Sequence, residues 1–462
     1  MKSFLFLLSI SCSVMAFADE TIVPMSDQTN LNVTIYNQDR ALVKDERQVK
    51  LNQGINNLSF AGVSANMMPQ SALLKGFGIS TREQNFNFDL LTHNAMMTKS
   101  VGSMVTVEYI DPATGKKSTE KAKLLAYNDG RPVLLIDDKI ETNYPGRVIF
   151  NSVPTELRAD PTLTMSVFSE SKGTENLQLD YLTTGLSWQA DYVGRLNTDE
   201  TKMDLNGFVT LTNRSGAVYK NAQLQLVAGA VNVVEEYRES RRHMVAAKAY
   251  VMMDAAGANL APEALTDFYI YTVPHKTDLL SNQTKQVALL TTTDLGIQKT
   301  YELNYPFSVY AVEQKNMKPQ IYVSFENTQN NKLGMPLPKG VVRLYKEDQK
   351  GLTQFVGEDR IDHVAENGTV RLHIGESFNL TADMKRTAHK KLSDKLQQGT
   401  YEVTFKNGSD VKADVRLMLD FPDDFKLMEE SQKGERMNSN VMRWVVSVPA
   451  KGEAKLTFRV QF

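Results

Sequence analysis

Apolar and polar residues alternate in runs that recur along the whole sequence, and this pattern limits the fold more than any other feature. The apolar members of three such runs are Leu31, Val33 and Ile35, then Val370, Leu372 and Ile374, and finally Leu456, Phe458, Val460 and Phe462. A period of two buries one face of a β-strand and leaves the other face in water. The sequence therefore predicts a mainly β protein made of several antiparallel, sandwich-like β-domains.

Turn-forming residues separate these runs and predict which strands form hairpins. Asn37-Gln38-Asp39 lies between a run at 31–35 and a run at 41–43. Asn407-Gly408 lies between alternating runs at 401–405 and 411–417. Asn-Gly suits the two-residue turn of a hairpin because both central residues of that turn need positive φ. We therefore expect residues 401–417 to fold as one hairpin.

The spacing of strands and turns divides the chain into three predicted β regions. Residues 19–98 form an N-terminal β-domain in this scheme. Residues 99–153 contain three or four short strands around turns at 111–115 and 128–130, which suits a small SH3-like barrel. Residues 154–462 then form the main β-sandwich region.

One segment contradicts the strands around it. Residues 239–258 are rich in Ala and Met and contain few β-formers. Ala, Met, Arg and Lys favour helix, and Met244, Ala247, Val251 and Ala255 fall on one helical face. We therefore expect one helical insertion at 239–258, either packed over the open end of a sandwich or mobile and available to a partner.

The N-terminus has the three parts of a secretory signal peptide. Lys2 supplies a positive charge, residues 4–10 are mostly apolar, and Ala16-Phe17-Ala18 places small residues at a cleavage site. The apolar segment is too short to span a membrane. We therefore expect residues 1–18 to be removed after Ala18 and the mature protein to be periplasmic or secreted.

Composition excludes several classes of protein. Lys and Arg number 52 against 54 Asp and Glu, so the net charge of -2 offers no basic excess for nucleic acid. Beyond the signal peptide no apolar run approaches the length of about 18 residues that a transmembrane helix needs. The one cysteine, Cys12, lies inside the predicted signal peptide. The mature chain is therefore expected to fold without disulfides, in an oxidising compartment.

Motifs that carry chemistry are scarce. The pattern S-x-x-K occurs at 118–121 and at 169–172, but neither copy is followed by K-T-G. The six histidines show no spacing typical of neighbouring metal ligands. Asp359, Asp362 and His363 form a local cluster that we interpret as a solvated loop. The sequence thus predicts no catalytic, cofactor-binding or metal-binding residue.

A basic segment precedes the predicted hairpin. It contains one acid, Asp394, and its basic residues surround His389: Lys385, Arg386, Lys390, Lys391 and Lys395. Isolated charge runs usually keep a loop in water, and this is the interpretation that we favour. In a cell envelope the same residues would suit anionic polysaccharide or lipid headgroups.

A family resemblance rests on segments in the middle of the chain. These segments are Asp180-Tyr181-Leu182-Thr183-Thr184-Gly185-Leu186-Ser187-Trp188-Gln189-Ala190-Asp191-Tyr192, Gly207 to Gly216, Tyr219 to Ala222, Leu226 to Gly229 and Tyr345 to Ile361. In this order they resemble a bacterial family that carries domain of unknown function 4139 and includes proteins labelled mucoidy inhibitor A. The resemblance implies an exported, β-rich envelope protein and no established functional residue.

Three classes of function remain open. A non-catalytic binding or structural β-protein fits the scarcity of motifs best, with an unknown envelope protein or a glycan as partner. A glycan-active enzyme is an alternative, because paired carboxylates from distant strands leave no local signature. An outer-membrane β-barrel is a second alternative, although aromatic residues at 8% do not suggest the girdles of such a barrel. The oligomeric state is left open.

Overall fold

The computed structural model describes residues 20–87, 89–154, 156–229, 232, 262–265, 268–308, 310–393, 396–421 and 425–461. The predicted signal peptide at 1–18 and the predicted helical insertion at 239–258 lie outside these residues. Within them the mainly β prediction is confirmed, since strands alternate with turns throughout and α1 (His93–Lys99) is the one α-helix. None of the described helices combines the length and apolar character needed to cross a bilayer.

The strands are numbered in chain order. In the first half they are β1 (Glu20–Val23), β2 (Gln28–Tyr36), β3 (Arg40–Leu51), β4 (Gly54–Ala61), β5 (Leu73–Lys75), β6 (Ile79–Asn87), β7 (Met104–Ile110), β8 (Lys117–Asn128), β9 (Arg131–Ile136), β10 (Lys139–Glu141), β11 (Arg147–Ile149), β12 (Thr162–Ser169), β13 (Gly173–Thr183), β14 (Leu186–Leu196), β15 (Lys202–Asn213) and β16 (Tyr219–Ala228). In the second half they are β17 (Pro262–Leu265), β18 (Phe268–Thr272), β19 (Thr277–Leu279), β20 (Gln283–Gly296), β21 (Gln298–Pro306), β22 (Glu313–Met317), β23 (Gln320–Glu326), β24 (Gly340–Glu347), β25 (Thr353–Ile361), β26 (Thr369–Glu376), β27 (Leu380–Ser393), β28 (Leu396–Asn407), β29 (Ala413–Asp420), β30 (Lys426–Glu430), β31 (Glu435–Arg436), β32 (Val441–Val448) and β33 (Gly452–Gln461). Short 3-10 turns lie at Met25–Asp27, Pro69–Ser71 and Gln329–Asn331.

The described residues fall into two compact units that are not contiguous in sequence. The first unit takes its residues from Met1–Ser187, Thr212–Gln225 and His275–Gln283. The second takes its residues from Trp188–Leu211, Leu226–Pro274 and Thr284–Phe462.

Two sheets of the first unit enclose its main core. One has the strand order β1-β4-β12-β6, and the other contains β16-β2-β3-β13-β5. The Arg47 side chain of β3 is fully buried between them, paired with Asp45 at 2.7 Å. Its guanidinium also donates to the carbonyls of Val23 and Ala61 at 2.7 and 2.8 Å. These bonds satisfy a buried cation and fasten the four-stranded sheet to β3.

The strands predicted within 99–153 are present and form an open sheet. Its strand order is β10-β9-β8-β7-β11, with β10 and β11 as the two edges. The predicted turn at 128–130 joins β8 and β9, and Asp129 and Gly130 both adopt positive φ there. A separate small core lies on this sheet and includes Met97 of α1. The segment is therefore a five-stranded sheet with a helix, without the closure of an SH3-like barrel.

The second unit contains a β-sandwich. Its six-stranded sheet has the order β26-β23-β21-β29-β32-β31, and its five-stranded sheet has the order β22-β27-β28-β33-β30. Alternate residues of both sheets meet in one core around Phe307, Trp444 and Phe458. A further sheet of this unit has the order β20-β15-β14-β24-β25, and β17 and β18 form a hairpin. The sheets are mostly antiparallel, with parallel pairs at β1–β4, β14–β24 and β21–β29.

The hairpin predicted at 401–417 is wrong. β28 pairs with β27 and β33, whereas β29 pairs with β21 and β32, so the two strands lie in opposite sheets of the sandwich. The Asn407 side chain explains the difference. Its Oδ1 accepts from the Ser409 amide at 2.9 Å, and its Nδ2 donates to the Val411 carbonyl at 2.8 Å. The side chain thus replaces the ladder bonds of a hairpin turn and lets the chain change sheets.

The same arrangement occurs at Asn213 in the first unit. Oδ1 of Asn213 accepts from the Ser215 amide at 3.0 Å and from the Ser215 hydroxyl at 2.8 Å. Its Nδ2 donates to the carbonyl of Ala217, four residues on, at 2.9 Å. Asn407, Ser409 and Val411 reproduce this pattern atom for atom. The described residues therefore contain the same Asn-x-Ser corner at Asn213 and at Asn407.

Candidate functional site

The outer face of the four-stranded sheet β1-β4-β12-β6 is a polar surface of the first unit. In β12 the apolar residues Leu163, Met165 and Val167 are buried, so Thr164 and Ser166 point to the other side. Their neighbours on β4 and β6 are polar as well. The outer face therefore has short amide, hydroxyl and carboxylate side chains in place of a second packed layer.

Register places these side chains in two rows across all four strands. The first row is Glu20, Asn57, Ser166 and Glu83, and the second is Ile22, Ser59, Thr164 and Asn85. Neighbouring members lie about 5 Å apart because that is the spacing of strands in a sheet. Seven of these eight side chains are polar, Ile22 being the exception, and we call the seven polar residues the polar grid.

Arg158 closes one side of the grid. Its Nη2 contacts both carboxylate oxygens of Glu20, at 2.8 and 3.0 Å, and the Ser59 hydroxyl donates to the same carboxylate. On β6 the Asn85 amide donates to Glu83 at 2.9 Å. The polar groups are therefore held in position before any ligand arrives, which lowers the entropy cost of binding.

A cleft of about 640 Å³ lies over this grid. Its lining includes Asn57, Asn85, Asn87, Thr164 and Ser166. Amides and hydroxyls both donate and accept hydrogen bonds, which matches a ligand that carries many hydroxyl groups.

An apolar strip borders the grid. Ile55 is 49% exposed and pairs with Phe168, whose ring lies 5.4 Å from the Arg82 guanidinium. Sugar rings present both a hydroxyl edge and a carbon face, so a polar grid beside an apolar strip suits them. The carboxylates of the grid disfavour a polyphosphate ligand.

The two carboxylates of the grid lie on its two outer strands. Glycosidases hold two carboxyl groups about 5 to 10 Å apart, across the bond that breaks. Glu20 and Glu83 lie on β1 and β6 with two strands between them, so their backbones are about 14 Å apart. Each carboxylate also binds a different neighbour, Arg158 for Glu20 and Asn85 for Glu83. Both carboxylates of the grid are thus already engaged by neighbouring side chains.

A second polar cluster lies in the second unit, within the segments of the family resemblance. Asp191 of β14 accepts from the Thr210 hydroxyl at 2.6 Å and from Arg343 at 3.1 Å. Arg343 also contacts Glu358 at 3.0 Å. These residues belong to four neighbouring strands and satisfy one another. The cluster ties the sheet β15-β14-β24-β25 together and has the character of a structural network.

The structure separates the residues of the weak chemical motifs. The Ser169 hydroxyl donates to the Ser171 carbonyl at 2.7 Å, so it has a backbone partner in place of a lysine base. Asp359 accepts the amide of His373, while His363 accepts the amide of Lys339. Burial, followed by the charge of Lys339, lowers the pKa of His363. Within the described residues no three His, Cys, Asp or Glu side chains come together as a metal site.

Trp188 and Tyr192 are core residues, as strand aromatics usually are. They are 3% and 1% exposed, and the Tyr192 hydroxyl donates to the Pro338 carbonyl at 2.8 Å. Burial raises the pKa of Tyr192 well above its usual value. The family motif around them therefore specifies packing.

Sequence reasoning missed the grid because its members come from four separate segments. Alternation does predict that Asn57 and Thr164 point to the face of the strand away from the buried Leu58 and Leu163. Nothing local, however, indicates that β12 lies between β4 and β6 or that β1 runs parallel to β4. One signal for the grid was available in the sequence. In these strands the residues that alternate with the buried apolar ones are polar, which indicates a polar outer face.

Comparison with known proteins identifies a family for most of the chain. The family model for a domain of unknown function, DUF4139, matches residues 177–462. No curated protein matches the chain. The matched residues include β14, β24 and β25 with the Asp191 cluster, and the whole β-sandwich. On this evidence the chain belongs to the DUF4139 family.

Proposed function

We propose that this protein is a non-catalytic binding protein of the bacterial cell envelope and that it recognises a glycan. The polar grid on β1-β4-β12-β6 carries the proposal, because it is an open, pre-positioned set of hydrogen-bonding groups beside an apolar strip. In this proposal the N-terminal β-domain, 19–98, supplies three of the four strands. The fourth strand, β12, comes from the start of the main region, 154–462.

Export supports a glycan as the partner. A signal peptide at 1–18 with cleavage after Ala18 would deliver the protein to the periplasm or beyond, where glycans are abundant. Glu20 would then lie close to the new N-terminus, in the first strand of the grid. A neutral or weakly charged glycan fits best. Glu20 is already paired with Arg158, and Glu83 adds a negative charge to the surface.

An array of bacterial oligosaccharides tests the proposal. We compare the wild-type protein with the double variant Glu83→Gln/Asn85→Ala, whose altered side chains lie exposed on the edge strand β6. Loss of the Asn85 amide, together with the loss of the charge of Glu83, is expected to weaken binding about tenfold. The matched control is Asn143→Ala, at an exposed residue of the same unit outside the grid.

Three outcomes contradict the proposal. The first is that the wild type binds no oligosaccharide on the array. The second is that the double variant and Asn143→Ala bind alike. The third is that a bound oligosaccharide is shortened, which would indicate an enzyme.

A further inference from the structure

A β-bulge interrupts the edge strand β6 beside the polar grid. Glu83 pairs with Ser166 of β12 and Thr81 pairs with Val167, so Arg82 is the extra residue between them. Regular alternation from Glu83 would turn Arg82 towards the inner face of the sheet, where a charge is costly. A bulge changes the direction of the side chain at the extra residue, and such bulges are common beside functional sites.

The bulge directs Arg82 to the outer face of the sheet. Phe168 alternates on β12 with the buried Val167 and Ser169, so its ring lies on that outer face. The Arg82 guanidinium lies 5.4 Å from the centre of this ring. Stacking on an aromatic ring leaves the planar N–H edge of an arginine free to bind a ligand. Arg82 therefore lies where the apolar strip of Ile55 and Phe168 meets the polar grid.

Arg82 differs from the other arginine beside the grid in having no carboxylate partner. Arg158 is paired with Glu20. Arg82 is exposed, and in the part of the chain that the structure describes it makes no ion pair. The adjacent acid, Glu83, accepts from the Asn85 amide at 2.9 Å, and Asn85 belongs to the row farther from the strip. The Glu83 carboxylate is thus held away from the strip, and the Arg82 guanidinium can receive an anionic group.

The basic segment that precedes β28 in the sequence differs from Arg82 in this respect. That segment is part of strand β27 and not a loop. Lys385 contacts Glu402 at 3.3 Å, and Arg386 and Lys391 also have partners. These three cations are therefore already engaged within the protein.

We propose that Arg82 binds the carboxylate of an acidic sugar at one end of the glycan. The proposal rests on the proposed function of the polar grid and names the class of glycan. A guanidinium binds a carboxylate through two parallel hydrogen bonds, which gives both strength and orientation. The ring of the acidic sugar would lie over Ile55 and Phe168, and the neutral sugars would extend over the grid.

The charges of the grid limit the ligand to one acidic sugar. The row with Glu20 and Glu83 lies about 7 Å from the strip, because it is two residues farther along each strand. A second carboxylate there would meet Glu83, while Arg158 is already paired with Glu20. The favoured ligand is therefore an oligosaccharide with a single uronic acid at its end.

Matched pairs of oligosaccharides test the proposal. Each pair has the sequence that binds best on the array, and its members differ only in whether C6 of one terminal sugar is a carboxylate or an alcohol. The acid is placed at either end in turn. By calorimetry we expect the acidic member of one pair to bind the wild type about tenfold more tightly, and salt to reduce this preference.

Arg82→Gln is expected to abolish the preference. The acidic member should bind this variant about tenfold more weakly, whereas the neutral member should bind within about twofold of the wild type. Arg82→Lys keeps the charge but loses the paired hydrogen bonds, so its preference should be intermediate. The matched control is Arg131→Gln, at an exposed arginine of β9 in another sheet, and it should keep the full preference.

The possible results separate this proposal from the proposed function. Equal binding of acidic and neutral members to the wild type would overturn the role of Arg82 and leave glycan binding intact. A preference that persists in Arg82→Gln would do the same. An equal loss of both members in Arg82→Gln would overturn it as well, because the shape of the bulge and not the charge would then govern binding. Binding of neither member to the wild type would overturn both proposals.

Discussion

Single buried polar residues decide local geometry in this protein. Asn213 is fully buried, and its Nδ2 has the carbonyls of Ala217, Leu279 and Leu280 as acceptors. The Ser215 amide donates to its Oδ1, as is typical of an Asn residue at a turn. The further carbonyls come from a segment more than sixty residues away, which no local pattern indicates.

Asn213→Ala is expected to lower the free energy of unfolding by about 3 kcal/mol. The substitution leaves three carbonyls and the Ser215 amide without the Asn213 side chain, and unsatisfied buried groups are costly. Denaturant unfolding measures the change, with the exposed Asn143→Ala as a control expected near zero. A loss below about 1 kcal/mol at Asn213 would show that water or a shifted backbone replaces the side chain.

Glu200 is expected to make stability depend on pH. It contacts Lys299 at 2.6 Å and Lys346 at 2.9 Å within the second unit. Burial opposes its ionisation, but the hydrogen bonds of the two lysines outweigh burial and the pKa of Glu200 is lowered. A lowered folded pKa stabilises the fold above the unfolded value of about 4.3, and this contribution is lost as pH falls through the folded pKa.

Glu200→Gln tests this dependence. At pH 7 the variant is expected to be less stable than the wild type by about 1 kcal/mol, and the difference should vanish in acid. Unfolding curves across the acid range measure it. Glu347→Gln, which removes a more exposed pair with Arg195, is the control and should show a smaller difference. A difference that stays constant with pH would mean that ionisation of Glu200 is not its cause.

Elements could be predicted from the sequence to different degrees. The β2–β3 and β8–β9 hairpins follow from their turn residues, because the strands that pair are adjacent in the chain. The parallel pair β14–β24 could not be predicted, since its strands are separated by more than a hundred residues. At Asn407-Gly408 the dipeptide predicts a hairpin turn that does not form, because core packing places β28 and β29 in different sheets.

Substitutions at two glycines test whether the chain at Asn407-Gly408 forms a corner between sheets or a hairpin turn. Gly408 needs no positive φ, and a Cβ there would lie 3.6 Å from the Asn379 carbonyl, an ordinary contact. Gly408→Ala is therefore expected to change the free energy of unfolding by less than about 0.5 kcal/mol. In a hairpin turn with positive φ the same change would cost about 1 to 2 kcal/mol, and that result would contradict the corner.

Gly185→Ala is the contrasting variant. Gly185 has φ of +85°, and a Cβ there would lie 2.7 Å from the backbone of Arg214 and Ser215. We expect a loss of about 3 kcal/mol or more, since backbone atoms cannot rotate away. Thermal or denaturant unfolding compares both variants. A tolerated Gly185→Ala would contradict the close approach of these two turns.

For the whole molecule, the expected export follows from the N-terminus and has a direct test. The mature protein should begin at Asp19 and be recovered from the periplasmic or extracellular fraction. Fractionation with N-terminal sequencing measures both. Recovery in the cytoplasm, with Met1 retained, would contradict export and remove one support of the proposed glycan binding.

The central claim is that the polar grid binds a glycan without cleaving it, and a crystal structure of the complex tests it most directly. The crystals would be grown with the oligosaccharide that binds best on the array. We expect an intact sugar chain over Asn57, Thr164 and Asn85, with one ring against Ile55 and Phe168. A sugar bound only at another sheet, or a cleaved product in the cleft, would contradict the account.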